Sequence, residues 1–150
     1  MFKTHLAFSF LLALSLFKYF NLNFYLFLII FILAGILPDI DHSKSWIGRK
    51  FKLLSWLINF IFGHRKLIHS IFFAVFLAII VKIFFNDYYI PFFLGYLSHL
   101  FLDSLTKQGV RILYPLKFKT SWIIRTNSIV EKLLLIILII LIVYKLIYIF

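Results

Sequence analysis

The 150-residue chain contains no cysteine, one methionine and five acidic residues, of which Glu131 is the single glutamate. The lack of cysteine excludes disulfide bonds and thiolate metal ligands, so histidine, carboxylate or backbone oxygen would have to hold any metal ion. Charged residues make up 14% of the chain, whereas soluble domains contain about 25%. The polar side chains are therefore too few to cover a water-soluble globule.

Hydrophobic residues instead make up 64% of the chain, and the mean hydropathy is +1.06. This composition favours a lipid bilayer as the solvent, and the length suits a single integral-membrane domain over residues 1–150. The beginning of the chain, a lysine followed by an apolar run, is similar to a signal peptide. No small-residue cleavage motif follows before Lys18, so we predict a retained first helix.

Five apolar runs predict an all-α fold, a polytopic membrane helical bundle. The expected spans cover residues 6–20, 24–37, 66–85, 91–106 and 129–150. Pro38 is expected to end the second span, because the residue before a proline is disfavoured in helical geometry. Between spans two and three, residues 45–62 combine basic and aromatic side chains, which predicts an interfacial amphipathic helix lying on the membrane.

The basic residues are distributed unevenly between the two sides of this bundle. With five crossings, the N-terminus and the stretches 39–63 and 107–128 share one side, which holds 13 of the 16 lysines and arginines. The positive-inside rule then predicts a multi-pass inner-membrane protein with its N-terminus and this face in the cytoplasm. Juxtamembrane cations also explain the net charge of +11, so we predict membrane lipids and no nucleic acid as partners.

Histidine and aspartate converge on the same face, and only Asp87 falls in an opposite turn. His99 and Asp103 are four residues apart and share a helix side, which Gly95 extends toward a closely packed neighbour. Taken alone, the pair could form a simple hydrogen bond instead of binding a metal ion, and residues 39–42 could form a solvated turn. The convergence of four chain segments favours a metal site instead. The predicted metal ligands are His5, Asp39, Asp41, His42, His64, His69, His99 and Asp103.

Eight donors exceed the four that one tetrahedral zinc ion takes, so two ions bridged by an aspartate would use them better. We expect a divalent metal, zinc before manganese or iron. His5, His42 and Glu131 are the expected catalytic residues, as proton-transfer groups or a general base. Glu131 has a second interpretation, because Ser128 and Glu131 have the spacing of a helix capping box.

Short motifs occur in a fixed order along the chain: Thr4-His5, 37–42, Ser45, Gly48-Arg49, 63–65, His69-Ser70, 95–100, Asp103, Thr106, Gly109-Val110, 126–128 and Glu131. Together and in this order, they resemble the YdjM-like family of membrane-bound metal-dependent hydrolases. The similarity covers about residues 1–135, with Ile68 where the family pattern has threonine and Asn127 where it has glycine. The resemblance implies an integral inner-membrane metal-dependent hydrolase.

Three functions are compatible with this pattern. A hydrolase would cleave a lipid or lipid-linked substrate, such as a phosphoester, at the cytoplasmic headgroup layer. Arg65 and Lys66 would then hold an anionic headgroup, although topology alone also explains them. A divalent-cation transporter would need donors continuing across the membrane, where Asp87, Asn86 and a few tyrosines are all that follow. A structural or regulatory membrane protein would use the layer only to join helices.

Overall fold

The computed structural model describes residues 1–42, 45–62 and 65–149, and these residues form α-helices without β-strands, as predicted. Short 3-10 turns follow α1, follow α2 and join α5 to α6. The helices are α1 (Phe2–Leu16), α2 (Phe24–Ile36), α3 (Trp46–Lys50), α4 (Lys52–Phe62), α5 (Ile71–Phe85), α6 (Tyr89–Ser104) and α7 (Ile129–Ile149).

Two helical segments of the described chain are long and apolar enough to cross a membrane, Phe24–Asp41 and Ile71–Ser104. The second segment contains α5 and α6, which pack against each other around the turn Asn86–Tyr88. Helix α7 has 21 residues and carries Glu131 near its start. The prediction of five crossings is therefore not confirmed and stays a prediction.

Helix α6 lies at the centre of the bundle and packs against α1, α2 and α5, while α1 also contacts α2 and α7. Two glycines allow the closest of these contacts. A Cβ atom on Gly95 would lie 2.2 Å from the carbonyl oxygen of Phe31, and one on Gly35 would lie 2.0 Å from Oγ of Ser9. The close packing predicted at Gly95 is thus confirmed, and it fixes α6 against α2.

Helix α2 ends at Ile36, close to the predicted end before Pro38. Leu37 nevertheless keeps helical geometry, because the chain continues as a 3-10 turn (Leu37–Asp41) in which proline occupies the tolerated first-turn position. The starts of two other helices differ from the sequence prediction. Helix α1 begins at Phe2 rather than near residue 6. Helix α5 begins at Ile71 rather than near residue 66, because Ser70 caps it by accepting a hydrogen bond from the Phe73 amide.

The helical stretch predicted over residues 45–62 is present as two pieces, α3 and α4, separated by a turn at Phe51. Its position in the membrane interface stays a prediction. Helix α4 exposes Leu53, Trp56 and Phe60. The later loop, between α6 and α7, is folded back on itself. Val110 and Thr120 exchange two backbone hydrogen bonds of 2.8 and 2.9 Å, a pairing that the sequence pattern did not predict.

Candidate metal centre

Six of the eight predicted metal ligands lie together at one end of the bundle. Five of their side chains are buried, and Asp39 is half-buried. Four separate segments deliver them, as the topology predicted. His5 comes from α1, Asp39 and Asp41 from the 3-10 turn after α2, His69 from the turn before α5, and His99 and Asp103 from α6.

Three imidazoles and the Asp103 carboxylate form the centre of this cluster. The rings of His5 and His99 stack with centroids 4.0 Å apart, and the Nε2 atoms of His69 and His99 are 3.3 Å apart. Asp103 Oδ1 lies 3.4 Å from His5 Nε2, and Asp103 Oδ2 lies 3.3 Å from His69 Nε2 and 3.8 Å from His99 Nε2. Ring nitrogens from two helices and one turn therefore face one carboxylate.

Neighbouring groups orient two of these rings. The carbonyl oxygen of Gly35 lies 2.9 Å from His99 Nδ1, so that nitrogen donates a proton and Nε2 presents its lone pair to the cluster. Asp41 Oδ2 lies 3.3 Å from His69 Nδ1 and accepts a hydrogen bond of 2.9 Å from the Arg65 amide. A histidine held by a carboxylate or carbonyl on one nitrogen is the usual arrangement of a metal ligand.

His69 lies between the carboxylates of Asp41 and Asp103. Burial lowers the pKa of His69, but the interactions with the Asp103 and Asp41 carboxylates outweigh burial and raise the pKa to about 9. This position therefore favours a positive charge, which either a proton or a divalent cation can supply.

The donor set fits a divalent ion. The donor atoms form two groups, and the atoms inside each group lie within 4.8 Å of one another. The first group is His5, His99 and Asp103, and the second is Asp39, His69 and His99. Both groups include His99, whose single inward lone pair can serve one ion. Asp103 presents one oxygen toward His5 and the other toward His69. Oδ2 is buried and accepts no hydrogen bond of ordinary geometry from the described residues. A buried carboxylate oxygen in this position is suited to a cation.

The remaining predicted site residues lie elsewhere. His42 is half-buried and, with Asp39, lines a cavity beside the cluster. His64 falls outside the described residues. Glu131 is at the start of α7, where Oε1 accepts a hydrogen bond from Thr4 and Oε2 accepts one from the Asn127 amide.

The alternative interpretation of Glu131, as part of a helix cap, agrees with its contacts. Ser128 Oγ accepts a hydrogen bond of 3.3 Å from the Glu131 amide, which is half of a capping box. The reciprocal bond reaches the amide of Asn127 at 2.6 Å instead of the amide of Ser128. With both carboxylate oxygens engaged, Glu131 joins α1 to α7 through Thr4, outside the cluster.

Arg65 contacts residues of the cluster, a role that the sequence analysis did not predict. Its guanidinium lies 3.3 Å from Asp103 Oδ1 and donates to Thr106 Oγ1 and the Gly109 carbonyl, while its amide binds Asp41. Arg65 thus connects two carboxylates of the cluster to the loop after α6. In the sequence, only its position directly after His64 indicated this role, because its contacts in the structure are with segments that are distant along the chain.

A cavity of about 970 Å³ lies against the cluster. His5, Asp39 and His42 line one part of it, and basic side chains, including Arg65 and Lys66, line much of the rest. The volume is at the upper end of the range for small-molecule sites in proteins. The cluster is consequently reached from a concave, positively charged surface rather than through the apolar sides of the bundle.

An all-helical chain with apolar exposed helix faces and a buried polar cluster at one end belongs to the class of helical membrane proteins. Residues 1–149 match the family described as YdjM inner membrane protein, and the chain belongs to this family of membrane proteins. The resemblance found in the sequence motifs is thereby confirmed. No solved structure matches the chain significantly.

Curated relatives cover part of the chain. The chain is 35% identical over 106 residues to the protein named "Uncharacterized protein YvsG" of Bacillus subtilis, covering 68% of this chain and 66% of that protein. It is 40% identical over 96 residues to the "Inner membrane protein YdjM" of Escherichia coli and of Shigella flexneri. These matches cover 59% of this chain and 48% of each relative. The chain therefore spans about half the length of these two relatives and about two thirds of the Bacillus subtilis protein.

Proposed function

We propose that this protein is a multi-pass, inner-membrane, metal-dependent hydrolase that acts on a lipid or lipid-linked substrate at the cytoplasmic headgroup layer. The observation that carries the proposal is the convergence of His5, His69, His99 and Asp103 on one buried point. Buried ionisable groups in an apolar bundle are costly and are usually retained for function. Here they also have the donor chemistry and the supporting contacts of a metal site.

The side chains divide into donors and groups that orient donors. His5, His69, His99 and Asp103 would hold a divalent ion, with Asp39 closing the side toward the cavity. The Gly35 carbonyl and Asp41 fix the rings of His99 and His69. When bound, a divalent ion such as zinc lowers the pKa of a coordinated water molecule and polarises an ester or phosphoester oxygen.

His42 is assigned to proton transfer. It lines the cavity beside Asp39 and follows the 3-10 turn that carries Asp39 and Asp41. An imidazole can accept and release a proton near pH 7, which suits a group between the donor cluster and solvent. The cations around the same cavity would hold the anionic part of the substrate.

The distribution of basic residues supports the cytoplasmic orientation in this proposal. The loop after α6 and the segment with α3 carry most of them, and both contribute to the cavity beside the cluster. The single aspartate at the other end, Asp87, lies in the turn between α5 and α6. The acidic donors therefore do not continue across the described part of the bundle, which favours hydrolysis over ion transport.

The decisive experiment measures metal content and hydrolysis on the same purified samples in detergent. Elemental analysis would count zinc, manganese and iron per chain, and phosphate release from phosphatidic acid vesicles would report phosphoester cleavage. We expect His99→Ala and Asp103→Ala to lose both signals. Asp87→Ala is the matched control, because it removes an aspartate from the opposite turn, and it should retain both.

Each other outcome has a definite meaning. In one outcome, His99→Ala loses the metal but the wild-type protein releases no phosphate. This result would indicate a structural metal site and contradict the assigned hydrolysis of this phosphoester. Wild-type protein that holds less than a tenth of a metal equivalent after reloading with zinc would contradict the metal centre itself.

A further inference from the structure

The cavity beside the donor cluster is surrounded by pairs of basic side chains. Of the described residues that line it, Asp39 is the one carboxylate, so positive charge is in large excess. The pairs come from three segments that are far apart in sequence. They are Arg49 and Lys50 at the end of α3, Arg65 and Lys66 in the turn before α5, and Arg111 and Lys119 in the loop after α6.

The pair in the loop is held in place by backbone pairing. Val110 and Thr120 exchange amide-to-carbonyl hydrogen bonds, and Arg111 and Lys119 are their immediate neighbours. A second bridge joins Thr106 to Ile124 and closes the base of the loop. Arg111 and Lys119 therefore lie on hydrogen-bonded backbone, so ligand binding at this position costs less conformational entropy.

A second pair is tied to the donor cluster itself. The guanidinium of Arg65 contacts Asp103 Oδ1 and the carbonyl of Gly109, and Gly109 lies next to the paired part of the loop. This contact places the cations of the cavity and the donors of the cluster on one connected framework. An anion held by Lys66, Arg111 and Lys119 would thus be adjacent to the candidate metal centre.

The charge and the size of the cavity indicate what kind of anion it takes. A single phosphate group carries between about −1.5 and −2 charges at pH 7, which the positive charge lining the cavity exceeds even with Arg65 engaged by Asp103. A volume of about 970 Å³ also exceeds what one phosphate group needs. A ligand with two linked phosphate groups matches the cavity better in both respects.

The chain around the cation pairs indicates where this anion comes from. Directly after Arg49 and Lys50, helix α4 exposes Leu53, Trp56 and Phe60. Around Lys119, the loop exposes Phe118, Trp122 and Ile123. Exposed aromatic and aliphatic side chains beside cations are typical of segments that lie in the membrane interface. The cavity is therefore bordered by chain suited to the acyl region of a lipid.

The geometry points to a binding site for the diphosphate headgroup of a membrane lipid, with the three cation pairs as its walls. This inference rests on the proposed function, because it names the substrate class of the same site. It predicts that pyrophosphate binds better than orthophosphate, and that an attached lipid chain strengthens binding further.

Equilibrium binding to purified, zinc-loaded protein in detergent tests the headgroup part. The probes are inorganic pyrophosphate and orthophosphate. We expect pyrophosphate to bind at least about tenfold more tightly, since each additional charged hydrogen bond contributes on that scale. The double variant Arg111→Ala/Lys119→Ala should weaken pyrophosphate binding about tenfold or more. The matched control Lys117→Ala/Arg125→Ala changes two basic residues of the same loop that lie outside the cavity, and should bind like the wild type.

The membrane part is tested with farnesyl diphosphate in phosphatidylcholine vesicles that hold the reconstituted protein. Tighter binding than pyrophosphate would support a lipid ligand, whereas equal binding would overturn the lipid source. Equal affinity for orthophosphate and pyrophosphate, or an equal loss in the control variant, would overturn the diphosphate site.

Metal content measured on each sample separates this inference from the proposed function. Diphosphate binding by a protein that holds no metal and cleaves nothing would sink the hydrolase while the binding site stands. Loss of diphosphate selectivity with metal and hydrolysis intact would sink the binding site alone.

Discussion

The Nε2 atoms of His69 and His99 lie 3.3 Å apart, and the other ring nitrogen of each histidine faces a fixed partner. The Gly35 carbonyl oxygen lies beside Nδ1 of His99, and the Asp41 carboxylate lies beside Nδ1 of His69. Two inward lone pairs at this distance repel each other unless a proton or a cation lies between them. The relationship therefore connects the backbone of α2 directly to the chemistry of the cluster.

Replacing Gly35 should disturb the metal centre without removing any donor. In Gly35→Ala the new methyl group would lie 2.0 Å from Ser9 Oγ, so α1 and α2 must move apart and the carbonyl that orients His99 moves with them. We expect zinc affinity to fall about 10–100-fold, the range for lost orienting contacts. Competition with a fluorescent zinc chelator measures the affinity.

The control for this variant is Leu33→Ala, which changes an exposed position of the same helix. Its zinc affinity should equal that of the wild type. An unchanged affinity in Gly35→Ala would show that the backbone of α2 does not orient His99.

Asp41 and Asp103 should respond differently to the same substitution. Asp41 contacts the outer nitrogen of His69, whereas Asp103 faces the inner nitrogens of two histidines. Asp41→Asn should keep the number of bound metal ions and weaken their affinity about 10–100-fold. Asp103→Asn should lower the number itself, because it removes a negatively charged donor. Elemental analysis after dialysis at graded chelator concentrations distinguishes the two effects, and a lower metal count in Asp41→Asn would make Asp41 a direct ligand.

Glu131 should matter more for helix packing than for metal binding. Its two oxygens accept hydrogen bonds from Thr4 and from the Asn127 amide. Glu131→Gln places an NH2 group against one of these donors, which we expect to cost about 1–3 kcal/mol of stability. A lower midpoint of thermal unfolding in detergent, with unchanged zinc content, is the expected result.

The same variant also tests the predicted catalytic role of Glu131. Hydrolysis that disappears from folded, zinc-loaded Glu131→Gln, while its thermal midpoint stays at the wild-type value, would establish the catalytic role instead of the packing role.

The proposed topology can be tested because the chain has no cysteine. Single cysteines can be introduced at Asn86, in the turn between α5 and α6, and at Lys117, in the loop after α6. Five crossings with a cytoplasmic N-terminus predict that a membrane-impermeant maleimide labels Asn86→Cys in intact spheroplasts. Lys117→Cys should be labelled only after the membrane is opened. The reverse pattern would invert the orientation, and labelling of both positions in intact cells would contradict the crossing between them.

The sequence predicted the helices and the location of the cluster more accurately than the roles within it. Apolar periodicity and turn residues indicate where helices lie, and helix order alone brings His5, His69 and Asp103 to one end. The roles of Gly35 and Arg65 were not predictable in this way, because they depend on contacts between segments that are distant in sequence. The predicted start of α5 near residue 66 is wrong, because an apolar run does not show where a capped helix begins. Ser70 caps α5 and leaves His69 in the preceding turn.

The distance along the chain between His5 and Asp103 has a consequence for synthesis. Ribosomes make α1 before the other helices, so His5 is synthesised long before its partners in the cluster exist. The costly carboxylate of Asp103 arrives with α6, after the segments that carry His5, Asp41 and His69 have already been made. The cluster can therefore close only once α6 has been made, as a late step of assembly.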